Sequence, residues 1–221
     1  MTRARVAGLA LAAWLGACAA TGPAREAATP PDAPPAGWPR PGAYVDAPSY
    51  ADALHAWRTP EDVNAWIGAR FGYDRSRALL LSASARARGA TPQIRTPAEF
   101  FAAPTGVCVD VARFGVETLR AIDPGLRPHY LMIEFAPVSV GGETLRLHWV
   151  AGFRRGGGYY VFADSARPGH VAGPYASPQA FAEAYARERD RAILAFREAE
   201  TFERRPRTAA PRAPKADAAA P

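Results

Sequence analysis

The chain has 221 residues, 48% of them apolar, with 22 prolines, two cysteines and a formal net charge of +6. Much of that charge sits at the ends: Arg3 and Arg5 carry +2 and residues 201–221 carry +3, which leaves +1 for residues 19–200. A near-neutral body gives no warrant for nucleic-acid binding, and Lys215, the only lysine, excludes lysine-based catalysis in the folded part.

Residues 1–18, MTRARVAGLALAAWLGAC, have two arginines, an apolar run from Val6 to Ala17 and then small residues. This is the layout of an export signal, and the run is shorter than the ~20 residues that span a bilayer. Leu15–Cys18 (LGAC) resembles the lipobox of bacterial lipoproteins, in which Cys18 would be acylated and become the first mature residue. That resemblance implies a lipid anchor on a bacterial membrane. Ala19 stands where an Asp would signal inner-membrane retention, so the outer membrane, facing the periplasm, is the expected site. Ordinary cleavage after the small-x-small triplet Ala17-Cys18-Ala19 is the alternative. Both remove Cys18 as a disulfide partner, leaving Cys108 as a lone thiol in a compartment where cysteines normally pair.

Residues 19–47 are rich in Pro, Ala and Gly and read as an extended tether; residues 201–221 read as a disordered basic tail. One domain is expected over 48–200. Thr59, Pro60 and Asp62 mark a helix start, with Val63, Trp66, Ile67 and Phe71 on one face. RSRALLLSASARAR is a second helix. Thr96, Pro97 and Glu99 repeat the start signal. PTGVCVDVARFGVETLRA follows, with a helix expected from about Gly106 to Ile122, ending at Asp123-Pro124-Gly125. HYLMIEFAPV, TLRLHWVAGF and GYYVFADSA then read as strands, with turns at Gly141-Gly142 and at Arg154–Gly158. The stretch from Ser177 to Glu200 is expected to be helical, capped by Ser177. The class is α+β, with helices packed on an antiparallel sheet.

Cys108 stands at the start of a helix, where free N–H groups and the dipole favour a thiolate. Ala112 and Gly115 leave the adjoining face bare for a close neighbour. Taken alone, Cys108 reads more readily as a small buried hydrophobe. His148 in the second strand and Asp164 in the third change that reading. A hairpin centred on Gly156 would set His148 opposite Asp164, with Cβ atoms ~4.5–5.5 Å apart on one face. Thiol, imidazole and carboxylate then supply a nucleophile, a base and a group that orients the base. The Cys108 N–H is an obvious oxyanion donor, with Gln93 or Trp66 as candidates for a second.

The order of a helix with GVC, a strand with His and a strand with Asp resembles the transglutaminase-like superfamily. DVNAWIGARFGYD upstream is similar to that family's helix ending in an aromatic and an Asp. The resemblance spans about residues 60–166. It implies a papain-like cysteine proteinase fold, with Cys108 as nucleophile, His148 as base and Asp164 as orienter. It implies a cysteine hydrolase or acyltransferase acting on a peptide or side-chain amide of the cell envelope, through a thioester. Family proteinases often carry Asp-Asn where this chain has Asp164-Ser165, and family members can lose catalysis. A non-catalytic lipoprotein module that binds protein or cell wall is therefore the competing reading.

Other polar residues are weaker candidates. Cys108, His148 and Asp164 are all zinc-ligand types, but a fourth ligand is missing. Asp110 reads as a first-turn acid favouring the dipole, and Glu134 as a solvent-facing strand residue. His55, His129 and His170 lack partners at telling spacings; His129 is expected to be exposed, and His170 to border the cleft at most. Arg154–Gly158 precedes no helix and is no phosphate loop, so no cofactor is expected.

Overall fold

The computed structural model describes residues 25–40, 42–86 and 93–202. The expected export signal with Cys18, and the tail beyond residue 202, lie outside these residues. No helix among the described residues is long and apolar enough to cross a membrane.

Helices dominate the first half. α1 (Tyr50–Ala56) follows Ser49, whose side chain accepts from the Asp52 N–H. α2 (Pro60–Arg70) and α4 (Pro97–Ala102) both open on Pro. Both carry reciprocal capping boxes, Thr59 with Asp62 and Thr96 with Glu99. α3 (Arg75–Arg86) lies between them. Two short strands, β2 (Gly72–Tyr73) and β3 (Thr105–Gly106), pair in parallel with Tyr73 beside Gly106. α5 (Cys108–Ile122) begins directly after them, so Tyr73 is held next to the start of this helix. Asp123 ends α5, and a short 3-10 turn (Pro124–Leu126) leads into the sheet.

The sheet has five antiparallel strands: β4 (His129–Val140), β5 (Glu143–Arg155), β6 (Gly158–Phe162), β7 (Ala172–Tyr175) and β8 (Ile193–Ala199). β1 (Arg25–Glu26) adds a short parallel edge along Val138 and Ser139 of β4. α6 (Pro178–Glu188) sits between β7 and β8 in the chain. One face of the sheet carries α5, with Val111, Phe114, Val116 and Leu119 buried against an aromatic cluster of Trp57, Trp66 and Phe100. Each such side chain contributes about 1.5–3 kcal/mol of burial. The other face is smaller: Leu131, Ile133, Val150 and Val161 are covered by Phe181 and Tyr185 of α6. The architecture is α+β, as the element order implies.

Three expectations need correction. First, the stretch after Ser177 is helical only to Glu188; Asp190 takes a left-handed φ of 44° and Ile193–Ala199 becomes β8. β4 offers an open edge there, and its ladder with Tyr130–Phe135 outweighs the helix-forming composition. Second, the β5–β6 register is one residue from expectation. The turn is the pair Gly156-Gly157, so Ala151 faces Phe162 and Arg154 faces Tyr159. Third, residues 27–40 do not trail away from the domain. Pro30, Pro31 and Asp32 are buried against it. Proline lacks the N–H of a sheet ladder, yet its carbonyl still accepts. Arg75 donates to the Ala28 carbonyl and Arg189 to that of Pro31, both at 2.6 Å.

Candidate functional site

The site lies where β6 stops. β5 pairs with β6 only from Ala151 to Arg155, so its stretch toward His148 runs on without β6 beside it. Cys108 reaches into that opening as the first residue of α5. The backbone N–H of Trp149 lies close enough to the sulfur to favour its thiolate form. His148, one residue earlier on β5, turns to the opposite face and stacks on Tyr185, with ring centroids 5.9 Å apart and 19° between planes.

Asp164 meets His148 by a route other than the ladder. With the observed register, Ser165 and not Asp164 would be the ladder position opposite His148. The strand ends at Phe162, however, and Ala163 adopts φ 50°, a left-handed conformation costly for a residue with Cβ. This turn brings the Asp164 Oδ1 to 2.9 Å from the His148 Nε2. Two groups hold Ala163 in place. Asn64 of α2, itself buried, accepts the Ala163 N–H at 3.1 Å. Gly115 of α5 supplies room: a Cβ there would fall 2.5 Å from the Ala163 Cβ. The bare face left by Gly115 is thus filled by the residue that aims Asp164. Asn64 is a positioning residue that no sequence signal revealed.

Asp164 is 2% exposed and fully engaged. Its Oδ1 also accepts the Ala166 N–H at 2.8 Å, and its Oδ2 accepts Arg167 Nε at 3.1 Å. Burial alone would raise its pKa; His148, Arg167 and the Ala166 N–H outweigh this and hold it well below the usual carboxylate range. Arg167 continues to Glu188 at 2.6 Å and lies over the Tyr185 ring. The His148 Nε2 therefore has a fixed partner, while its buried Nδ1 has no hydrogen-bond partner among the described residues.

The thiol side differs. Ligand atoms of Cys108, His148 and Asp32 all lie within 4.8 Å of one another. Asp32 belongs to the segment expected to be a tether. Burial pushes the Cys108 thiol up, well above its usual pKa; the Asp32 carboxylate adds to this and the Trp149 N–H opposes it. Helix-terminal activation is thus outweighed here. Tyr73 donates to the Asp32 Oδ1 at 2.6 Å, and burial together with that carboxylate raises the Tyr73 pKa strongly. The hydroxyl therefore stays protonated as a donor. Cys108, His148 and Asp32 offer sulfur, nitrogen and oxygen, a set of ligand types suited to zinc. Asp164 is not of that set; its Oδ1 holds the His148 Nε2.

The remaining candidates lie elsewhere. Asp110 is more than a first-turn acid. It is completely buried, takes two bonds from Arg77 at 2.7 and 2.8 Å, and accepts the N–H groups of Arg95 and Val107. It braces the start of α5 against α3. His129 is buried, not exposed, with Nε2 3.0 Å from the Tyr159 hydroxyl and Nδ1 on the Arg127 carbonyl. His55 and His170 are exposed, and Glu134 is half-buried beside Arg146. Trp66 is locked in the aromatic core, stacked on Phe101 at 4.8 Å, and the Gln93 carbonyl accepts from Arg77. Tyr73, not either of these, is a side-chain donor on the thiol side of the site, through its bond to Asp32. The GYD stretch after α2 was the only sequence hint of it.

No family model matches the chain, and no curated protein does. Among solved structures, calcium-bound LapG of Legionella pneumophila is similar to it. The likeness covers 54% of this chain and 58% of that one, at 19% identity and a TM-score of 0.32. The chain thus spans a little over half the length of that structure.

Proposed function

We propose that the domain is a transglutaminase-like cysteine hydrolase or acyltransferase acting on a peptide or side-chain amide. One observation carries this reading. A helix-terminal thiol and a buried imidazole lie within 4.8 Å, and the Nε2 of that imidazole is fixed by a carboxylate at 2.9 Å. With Nε2–H donating to Asp164, Nδ1 is the basic nitrogen and faces no competing donor. The Cys108 proton passes to Nδ1 as sulfur attacks the amide carbonyl carbon. The oxyanion is met by the Cys108 N–H and by the Tyr73 hydroxyl, which donates to an oxygen at this place already. Collapse breaks the C–N bond, and the imidazolium gives its proton to the departing amine. Water or an amine then attacks the thioester, His148 takes its proton, and the thiol is released. The exported, lipid-anchored setting through Cys18 belongs to the same proposal.

Capture of a Cys108 acyl-enzyme from peptide amides, read by mass spectrometry, tests this reading. Its loss in His148→Ala is the expected result. Absence of any adduct in a chain whose thiol is demonstrably reactive would sink it. The second reading, a non-catalytic module binding envelope protein or cell wall, is favoured by one specific fact: Asp32 sits on the thiol. Full cellular function in Cys108→Ala would select that reading.

A further inference from the structure

Residues 30–33 form a tight turn closed by the Ala33 N–H on the Pro30 carbonyl at 3.1 Å. Pro31 takes the second position of the turn, where its fixed φ belongs, and Asp32 the third. The turn drives Asp32 into the domain until only 4% of it is exposed. There its carboxylate meets the Tyr73 hydroxyl, the Cys108 thiol and a ring nitrogen of His148.

The turn is anchored on both sides of the site. Ser165, beside Asp164, donates to the Asp32 carbonyl at 2.6 Å, and Arg189, beyond α6, donates to Pro31. Upstream, the Ala27 N–H bonds the Ser139 carbonyl of β4 at 2.8 Å. Downstream, the Trp38 indole donates to the Pro168 carbonyl at 2.8 Å, and Arg40 to that of Ala69. Between this downstream arm and the domain lies a cavity of about 310 Å³, lined by Pro34, Pro35, Trp38, Phe71, Tyr73 and Pro168. The seam is thus held by single polar bonds and the buried Pro30 and Pro31, with a cavity beneath its downstream arm, unlike the aromatic core under α5. Such a segment is suited to lift away without disturbing the sheet.

We propose that the space between Tyr73, Cys108 and His148 is a carboxylate-binding site, and that this chain fills it with its own Asp32 to silence the thiol. The inference rests on the thiol–imidazole reading above. A carboxylate here blocks the approach of a substrate carbonyl, occupies the Tyr73 donor and opposes a second negative charge on sulfur. Release of the turn uncovers all three groups at once.

The test uses the full-length chain and the rate of iodoacetamide labelling at neutral pH, resolved for Cys108 by peptide mass spectrometry so that Cys18 does not contribute. Asp32→Ala is expected to label Cys108 at least about tenfold faster than the natural chain. Asp32→Asn, which keeps the shape and removes the charge, should fall between them. A Trp38→Ala/Arg189→Ala double variant, which loosens the anchors and leaves the carboxylate intact, should also gain severalfold. Acetate, against chloride at equal ionic strength, should slow the Asp32→Ala chain again and leave the natural chain unchanged. Natural rates in both Asp32→Ala and the double variant overturn the proposal, and indifference to acetate overturns the carboxylate site. Adding His148→Ala to Asp32→Ala separates the two ideas. A gain that persists without His148 keeps the occlusion and removes the base. A natural-rate Asp32→Ala chain whose labelling still needs His148 removes the occlusion and keeps the base.

Discussion

The two sides of the site are built differently. On one side, the His148 Nε2 and both Asp164 oxygens are saturated, and each partner is tied to the core: Tyr185 under the ring, Arg167 under the carboxylate, Gly115 and Asn64 behind Ala163. On the other, the His148 Nδ1 is unpartnered among the described residues, and the thiol is kept protonated by burial and by a carboxylate from outside the domain body. The first side is prearranged and the second is gated. An enzyme gains most from rigidity where charge must develop, and from mobility where substrate must enter. The predictions below probe that asymmetry.

The largest effect should come from the rigid side acting on the chemistry. With Asp32→Ala as background, His148→Ala should lower turnover of a peptide amide by a factor on the order of 10²–10⁴. A drop of only two- or threefold would show that both sides are equally dispensable. Next comes stability. Asp164→Ala removes one member of a buried charged network, and urea unfolding should show a loss of roughly 3–5 kcal/mol. The sign with pH follows from the depressed Asp164 pKa. Its contribution is fully present above the ordinary value of 3.8 and is lost as pH falls below it. The acid sensitivity of unfolding should therefore be smaller in Asp164→Ala.

Gly115→Ala should cost about 1–3 kcal/mol, because its new methyl falls 2.5 Å from the Ala163 Cβ. Ala163→Gly should recover most of this. It removes the opposing methyl and suits the left-handed φ of 50°. Failure of that rescue would mean the α5–turn contact does not set the position of Asp164. Tyr73→Phe probes the gated side and should cost about 1–3 kcal/mol, because it leaves the buried Asp32 oxygen without its donor. It should also weaken the hold on the turn. The smallest effect is alkaline. The thiol pKa lies above its ordinary value of 9.0, so the stability it contributes is present below that value and declines as pH rises beyond it. Cys108→Ala should remove that part of the decline in thermal melts.

Much of this molecule is legible in its residues. Thr59-Pro60 and Thr96-Pro97 announce their helices because a cap is a local interaction between residues three apart. Cys108 at a helix start is legible for the same reason. So is the change from helical to strand periodicity after Gly125, although Ile193–Ala199 misleads, since a strand there depends on an edge of β4 some sixty positions away. The His148–Asp164 pair is foreseen through a register that is wrong by one residue. The pairing survives because Ala163 turns out of the ladder, which composition does not disclose.

What the sequence by itself determined is the residue set and its local frame: an unpaired thiol on a helix terminus, an imidazole on one strand with a carboxylate just beyond the next, and a Pro/Ala-rich segment ahead of the domain. Only the tertiary structure decided that Asn64 and Gly115 position the turn before Asp164, that Tyr73 faces the thiol, and that Asp32 lies upon it. The physical reason is range. Caps, turns and periodicity act within a few residues of chain. The meeting of Asp32 with Cys108 depends on where the ends of β5, β6 and α5 leave an opening, and no local pattern carries that information.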